Sequence, residues 1–237
     1  MWLWLLISSI VYTPIIVILW TLTFWWNRNL RITHRFACFW AAQYIWMNPL
    51  WRLKIIDRKN IRPMKKYVLM SNHQSLVDIV IIDSLFKHFR WVSKAKNFKI
   101  PFVGWILTIN GSIKIYRNDK EAFEKFRKRA RRILEKGNSI MIFPEGTRSR
   151  SGDIGRFMDG AFQIAMETKT DILPMVIEGS SGAIPRAGWI LSGKQKMHLK
   201  VLEPLAYEDW KDKSLSELKD MVKEIISAEL SILRANA

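Results

Sequence analysis

The chain has 237 residues, of which 49% are apolar, and its 38 Lys and Arg against 21 Asp and Glu give a formal charge of +17. Cys38 is the only cysteine, which excludes an intrachain disulfide and a cysteine-based zinc site. The positive charge predicts an anionic partner, such as nucleic acid, an acidic membrane surface or a phosphorylated ligand, and the 12 Trp residues favour the membrane.

The N-terminal stretch from Trp2 to Trp26 carries no charged residue. As a helix, its 25 residues would reach about 37 Å, enough to cross a hydrocarbon core of roughly 30 Å. Arg28, Arg31 and Arg35 follow it directly. The positive-inside rule therefore predicts that the rest of the chain lies in the cytoplasm.

A second apolar, Trp-rich stretch runs from Phe36 to Trp51 and is too short to cross a bilayer comfortably. It could lie in the membrane interface, or the two stretches could form a hairpin that dips into one leaflet. The sequence leaves these arrangements open. Because the composition becomes that of a soluble domain at Trp51, we predict a membrane-anchoring segment over residues 1–50 and an α/β domain over residues 51–237.

Strand and helix patterns alternate through the second segment, which predicts an α/β fold with a central, mostly parallel sheet flanked by helices. The predicted helices begin after Ser75, behind a capping box at 118–121, at Gly160 and at Ser214. The predicted strands are Tyr67–Met70, Trp91–Ser93, Ser112–Tyr116, Ser139–Phe143, Ile172–Ile177 and Met197–Leu202.

His73 and Asp78 flank the junction between the first of these strands and the helix after it. The two side chains can meet only if the chain turns between them, and a strand-to-helix junction supplies such a turn. An imidazole held by a carboxylate is suited to act as a general base. The spacing has another interpretation, in which Asp78 caps the helix from a box with Ser75 and His73 is an ordinary loop histidine.

Further polar groups follow the other predicted strands. Because ligands bind outside the carboxyl ends of strands in open α/β sheets, these groups are candidates for one site, although each alone is also typical of a surface charge. Lysine and arginine there could hold a phosphate, and glycine would allow close approach of the backbone. The candidates are Lys94, Arg117, Glu145, Gly146, Thr147 and Arg148.

The same segments resemble the motifs of the PlsC-type glycerolipid acyltransferases, the 1-acylglycerol-3-phosphate acyltransferases. Asn72-His-Gln-Ser-Leu-Val-Asp78 is similar to their HX4D motif, and the resemblance runs in order from about Val68 to Leu205. The other similar blocks are Gly111–Arg117, Phe143–Ser149, Ile172–Ile177, and Lys94 with Ile100–Trp105.

The resemblance implies transfer of a fatty acyl chain from acyl-CoA or acyl carrier protein to the sn-2 hydroxyl of lysophosphatidate, giving phosphatidate in phospholipid synthesis. It implies His73 as general base and Asp78 as its partner, without a metal or cofactor. The acceptor would then be held by Lys94, Arg117 and the loop with Glu145, Gly146, Thr147 and Arg148. Ile184, Trp189 and Ile190 could line the acyl path, or their loop could fold back on the core.

Two alternatives remain at this point. The acceptor could be another lysophospholipid or a lyso-amino-lipid. A basic, membrane-anchored binding protein without catalysis would also explain the charge, but it gives no reason for the blocks around His73 and Glu145. We expect membrane lipids as partners, no nucleic acid, and a catalytic domain on the cytoplasmic side of a membrane.

Overall fold

A seven-stranded sheet forms the centre of the computed structural model, which describes residues 2–116, 120–149, 152–184 and 193–236. The strand order is β1-β7-β6-β2-β5-β3-β4. Strands β6, β2, β5, β3 and β4 are mutually parallel, β7 is antiparallel to β6, and β1 is parallel to β7. The strands are β1 Trp51–Ile56, β2 Val68–Ser71, β3 Phe89–Lys94, β4 Ile113–Ile115, β5 Ser139–Ile142, β6 Ile172–Glu178 and β7 Gln195–Val201.

Helices cover both faces of this sheet, and the predicted α/β class is confirmed. Because both faces are covered, every residue of β2 and β5 is buried, and these strands read as apolar runs instead of alternating patterns. The helices are α1 Trp2–Thr23, α2 Arg31–Trp46, α3 Val77–Asp83, α4 Val103–Ile109, α5 Lys120–Glu135, α6 Gly160–Glu167, α7 Tyr207–Trp210 and α8 Leu215–Ala235, with short 3-10 helices at Arg58–Asn60 and Ala95–Lys99.

Two hydrophobic clusters lie on opposite faces of the sheet. On one face, Phe126 of α5, Phe162 of α6 and Val222 of α8 pack together. On the other, Ile81 of α3 and Ile45 of α2 pack against the strands. The carboxyl ends of the five parallel strands all point to one edge of the sheet, which we call the carboxyl edge, and this edge is where the fold places loops for a site.

The N-terminal stretches form a helical hairpin, as one of the predicted arrangements has it. Ser8 Oγ of α1 lies 2.7 Å from Tyr44 Oη of α2, and Tyr12 Oη donates to Gln43 Oε1 at 3.1 Å. Helix α2 spans Arg31–Trp46, so it begins five residues before the apolar stretch that starts at Phe36. Leu3–Thr23 meets the length and composition needed to cross a membrane. The boundary at residue 50 stays a prediction.

Helix α2 is fixed to α3 by a buried polar contact. The Cys38 thiol lies 3.9 Å from Asp83 Oδ1, and Trp91 Nε1 donates to the same oxygen at 3.2 Å. Burial raises the pKa of the Asp83 carboxyl to about 7, although its hydrogen bonds from Trp91 and Cys38 oppose this shift. The contact joins the N-terminal hairpin directly to the last residue of α3.

The raised pKa of the Asp83 carboxyl predicts that the free energy of unfolding decreases as the pH rises. Its pKa is about 7 in the folded protein and about 3.9 in an unfolded chain, so the native state is destabilised as the pH rises from about 4 to about 7. Asp83→Asn removes a penalty of up to about 4 kcal/mol at pH 8 and changes little at pH 4. Urea unfolding of the detergent-solubilised variants measures this difference. The exposed Asp212→Asn is the control, and an Asp83→Asn effect that is equal at both pH values contradicts the prediction.

Candidate active site

His73 lies on the carboxyl edge because β2 ends two residues before it and Asn72 fixes the turn. Asn72 Nδ2 donates to the Ile177 carbonyl at 2.8 Å, and Asn72 Oδ1 accepts from the Ile177 N–H at 2.8 Å. These two bonds extend the pairing of β2 with β6 beyond the end of β2, with the Asn72 side chain in place of a backbone peptide group. The chain then turns into α3, which begins at Val77.

The turn brings His73 and Asp78 together. His73 Nδ1 lies 2.8 Å from Asp78 Oδ2, and the Asp78 side chain is fully buried. The same oxygen accepts from the backbone N–H groups of Gln74 at 2.6 Å and Ser75 at 2.8 Å. One carboxylate therefore satisfies backbone donors before α3 and also contacts the imidazole. With Nδ1 engaged, Nε2 is the nitrogen that can take a proton.

Aromatic packing fixes the plane of the imidazole. The His73 ring stacks on Phe143, with centroids 4.0 Å apart and an interplanar angle of 9°. Phe143 in turn packs against Trp91 at 5.7 Å. Phe143 directly follows β5 and Trp91 lies within β3, so three neighbouring strands contribute to the orientation of one ring. The His73 side chain keeps 13% of its surface exposed, which leaves it accessible from one side.

Glu145 connects the loop after β5 to the His73 turn. Its Oε1 accepts from the His73 N–H at 2.9 Å, and its Oε2 accepts from the Gly155 N–H at 2.9 Å. Burial raises the pKa of this carboxyl, while the two N–H groups act in the opposite direction. The geometry gives Glu145 a positioning task on the backbone of His73. Its predicted contact with substrate stays a prediction.

The predicted cationic groups lie at neighbouring strand ends. Lys94 is the last residue of β3, and Arg148 follows β5, the strand next to β3. Both side chains are half-buried. The Ser149 N–H donates to the His73 carbonyl at 2.8 Å, which places the Arg148 loop against the His73 turn. Arg117, the third predicted cation, lies outside the described residues.

The remaining predicted positions differ in their surroundings. Gly146 has φ +61°, in the left-handed region that favours glycine, so a tight turn separates Glu145 from Arg148. Thr147 is exposed at the tip of this turn.

Ile184 packs against the core cluster around α3, as expected if its loop folds back on the domain. Trp189 and Ile190 lie outside the described residues.

One residue that contacts the pair was not predicted from the sequence. Ser180 Oγ donates to Asp78 Oδ1 at 2.5 Å, and both residues are fully buried. Ser180 follows β6 within a stretch that the sequence shows only as a long loop. A single serine in such a loop carries no signal, because only the pairing of β6 with β2 brings it close to Asp78.

A group of residues elsewhere could in principle hold a metal ion. Ligand atoms of His34, Cys38 and Asp83 lie within 4.8 Å of one another, and all three residues are buried. Within the described part of the chain, His34 Nε2 is buried without a hydrogen-bond partner, whereas a histidine that binds a metal normally donates its second N–H to a neighbour. We therefore assign the group only its packing role between α2 and α3.

Comparisons with known proteins agree with this geometry. A family model described as Acyltransferase matches residues 52–178. The chain is 35% identical to the chloroplastic 1-acyl-sn-glycerol-3-phosphate acyltransferase LPAT1 of Arabidopsis thaliana over 65% of this chain and 43% of the plant protein. It is 28% identical to the 1-acyl-sn-glycerol-3-phosphate acyltransferase of Saccharomyces cerevisiae over 73% of this chain and 57% of the yeast protein.

The aligned region thus spans about half the length of these curated relatives. Among solved structures, the fold is similar to that of the 1-acyl-sn-glycerophosphate acyltransferase PlsC from Thermotoga maritima, with a TM-score of 0.80. The match covers 99% of this chain and 93% of that one at 22% sequence identity, so it supports the whole fold, including the N-terminal hairpin.

Proposed function

The chain belongs to the acyltransferase family, and from this premise we propose that it transfers a fatty acyl chain from an acyl thioester to the sn-2 hydroxyl of 1-acylglycerol-3-phosphate, giving phosphatidate. The observation that carries the proposal is the contact of 2.8 Å between His73 Nδ1 and the fully buried Asp78 carboxylate. The names of the plant and yeast relatives support this acceptor.

The reaction begins with proton transfer to His73. Its Nε2 takes the proton of the acceptor hydroxyl, while Asp78 fixes the tautomer and stabilises the imidazolium that forms. The hydroxyl oxygen forms a bond to the thioester carbonyl carbon, and the carbon–sulfur bond then breaks. The leaving thiolate takes the proton back from His73, although a thiol with a pKa of about 8.5 needs little such help. The reaction proceeds without a covalent acyl-enzyme and uses only side chains of this chain.

The acceptor phosphate binds at the strand ends next to His73. Arg148 offers two parallel N–H donors to phosphate oxygens, and Lys94 adds a positive charge from the end of β3. Arg117 is the third proposed phosphate ligand. The turn at Gly146 and Thr147 lets the backbone approach the acceptor closely. Holding the hydroxyl against His73 in this way converts binding energy into correct orientation of the reacting groups.

The N-terminal hairpin gives the reaction access to lipid. Both the acceptor and the product carry long acyl chains, and the exposed surface of α1 is apolar along most of its length. In our proposal α1 inserts into the membrane while the sheet domain stays on the cytoplasmic side, as Arg28, Arg31 and Arg35 predict. The substrates then reach His73 without being extracted into water.

A panel of acceptors and donors tests the proposed function. Purified protein is offered lysophosphatidate, other lysophospholipids and a lyso-amino-lipid, each with labelled acyl-CoA and with acyl carrier protein. We expect product from lysophosphatidate at the highest kcat/KM, and the same panel identifies the donor. Preference for a lyso-amino-lipid or for a lysophospholipid with a different head group would identify that lipid as the acceptor in place of lysophosphatidate. No transfer to any acceptor would overturn the proposal.

Arg148→Ala tests the phosphate site. We expect kcat/KM with lysophosphatidate to fall about 10- to 100-fold, because a charge-assisted contact of this kind contributes roughly 1.5–3 kcal/mol. A phosphate-free acceptor, 1-acylglycerol, should be affected much less. Arg132→Ala, an exposed arginine on α5, removes the same charge away from the site and is the control. An equal loss with both acceptors would show that Arg148 has a task other than phosphate binding.

A further inference from the structure

The loop after β6 reaches the side of Asp78 that His73 does not contact. Ser180 Oγ donates to Asp78 Oδ1 at 2.5 Å across a sequence separation of 102 residues. The segment matched by the family model ends at residue 178, two positions before Ser180. Ser180 therefore lies outside the family match and outside the motif blocks, whereas its partner Asp78 lies within both.

The two oxygens of the Asp78 carboxylate have unequal support. Oδ2 contacts His73 Nδ1 and accepts from the N–H groups of Gln74 and Ser75. The bond from Ser180 is the one described contact to Oδ1 in residues 2–116, 120–149, 152–184 and 193–236. Because Asp78 is fully buried, water does not replace this donor if it is lost.

The backbone conformation just before Ser180 brings its hydroxyl towards Asp78. Gly179 has φ +78°, and a Cβ at this position would lie 2.0 Å from the Lys196 carbonyl oxygen, so only glycine fits. The resulting turn directs Ser180 back towards α3. A second bond, from Ser75 Oγ to the Ile184 carbonyl at 3.4 Å, ties the same loop to the start of that helix.

We propose that Ser180 is a positioning residue of the acyl-transfer reaction, which orients the Asp78 carboxylate so that this carboxylate can orient His73. The proposal rests on the proposed function for its kinetic consequences. Ser180 acts through Asp78 and does not touch the reacting atoms. The hydrogen-bonded order is Ser180, Asp78, His73, with one member each from the loop after β6, the start of α3 and the turn after β2.

Ser180→Ala is expected to lower kcat about 10- to 100-fold, the loss that corresponds to one hydrogen bond to a charged group, while KM changes little. The acidic limb of the pH–rate profile should move to higher pH, because an under-supported carboxylate binds the imidazolium form of His73 more strongly. Glu145, the other carboxylate near His73, remains in every variant. Ser180→Thr keeps the hydroxyl and should restore most of kcat and the wild-type profile.

Ser139→Ala is the matched control. Ser139 is also buried in the sheet, and its Oγ accepts from the Tyr67 N–H at 3.0 Å, but it lies at the first residue of β5, on the edge opposite His73. This variant should lose stability without moving the pH–rate profile. Wild-type kcat and profile in Ser180→Ala would overturn the proposal, and so would an equal shift of the profile in Ser139→Ala.

A measurement without substrate separates this proposal from the proposed function. Diethyl pyrocarbonate modifies neutral imidazole, and peptide mapping resolves His73 from the other three histidines. At pH 7 we expect slower modification of His73 in Ser180→Ala than in wild type and in Ser139→Ala. Equal rates would overturn the role of Ser180 even if the enzyme is active. Absence of acyl transfer together with a slower rate would overturn only the proposed function.

Discussion

His73→Ala is expected to lower kcat for acyl transfer by about 10²–10⁴-fold, the contribution typical of a positioned general base. The variant should stay folded and bound to membranes, because the His73 ring contacts Phe143 and Asp78 at the edge of the sheet and not within either hydrophobic cluster. Initial rates with lysophosphatidate and acyl-CoA measure the loss.

Two controls make this result specific. His198→Ala removes a histidine of β7, a strand that does not border β2, and should keep wild-type kcat. Added imidazole should restore part of the activity of His73→Ala, because the cavity left by the ring can admit a free base. Near-normal turnover in His73→Ala would remove His73 from the mechanism.

Asp78→Asn is expected to lower kcat by about 10²–10³-fold, equivalent to roughly 3–4 kcal/mol in the barrier. Asparagine has the same shape, and its amide oxygen can still accept from the backbone N–H groups of Gln74 and Ser75, so α3 should keep its start. The amide has no negative charge, and it leaves the imidazolium of His73 without its counter-ion.

This substitution separates the two tasks that Asp78 performs. If the carboxylate served only as a helix cap, Asp78→Asn would retain nearly full activity. Asp83→Asn, which neutralises a second buried aspartate of α3 without a contact to His73, is the matched control for kcat. A similar loss in both variants would point to damage of α3 rather than to loss of the His73 partner.

Much of the sheet could be predicted from the sequence because covered parallel strands leave a simple pattern. Val68–Ser71, Ser139–Ile142 and Ile172–Glu178 are short apolar runs with breaks at their ends. Strand β1, Trp51–Ile56, was missed, since its charged residues at 52 and 54 alternate with apolar ones next to the anchoring segment. Helix α2 begins at Arg31, ahead of the apolar stretch that starts at Phe36, because its first turn carries the polar residues Arg31 and His34.

In the candidate site, only the contact between residues that are close along the sequence could be predicted. His73 and Asp78 lie five residues apart, so one turn of the chain suffices to join them. Ser180 reaches Asp78 only through the pairing of β6 with β2, and Glu145 reaches the His73 N–H only through the pairing of β5 with β2. Pairings of this kind depend on strand order, which the spacing of residues along the chain does not encode.

Helix α3 carries Asp78 near its first residue and Asp83 at its last, a distance of about 8 Å along a helix axis. The short helix α3 therefore connects Asp78, which contacts the His73 imidazole, with Asp83, which contacts the Cys38 thiol of the hairpin. If a change in bilayer thickness tilts the hairpin, we expect α3 to move with it and to change the position of Asp78 relative to His73. Turnover in vesicles should accordingly respond to lipid chain length even when the substrates are unchanged.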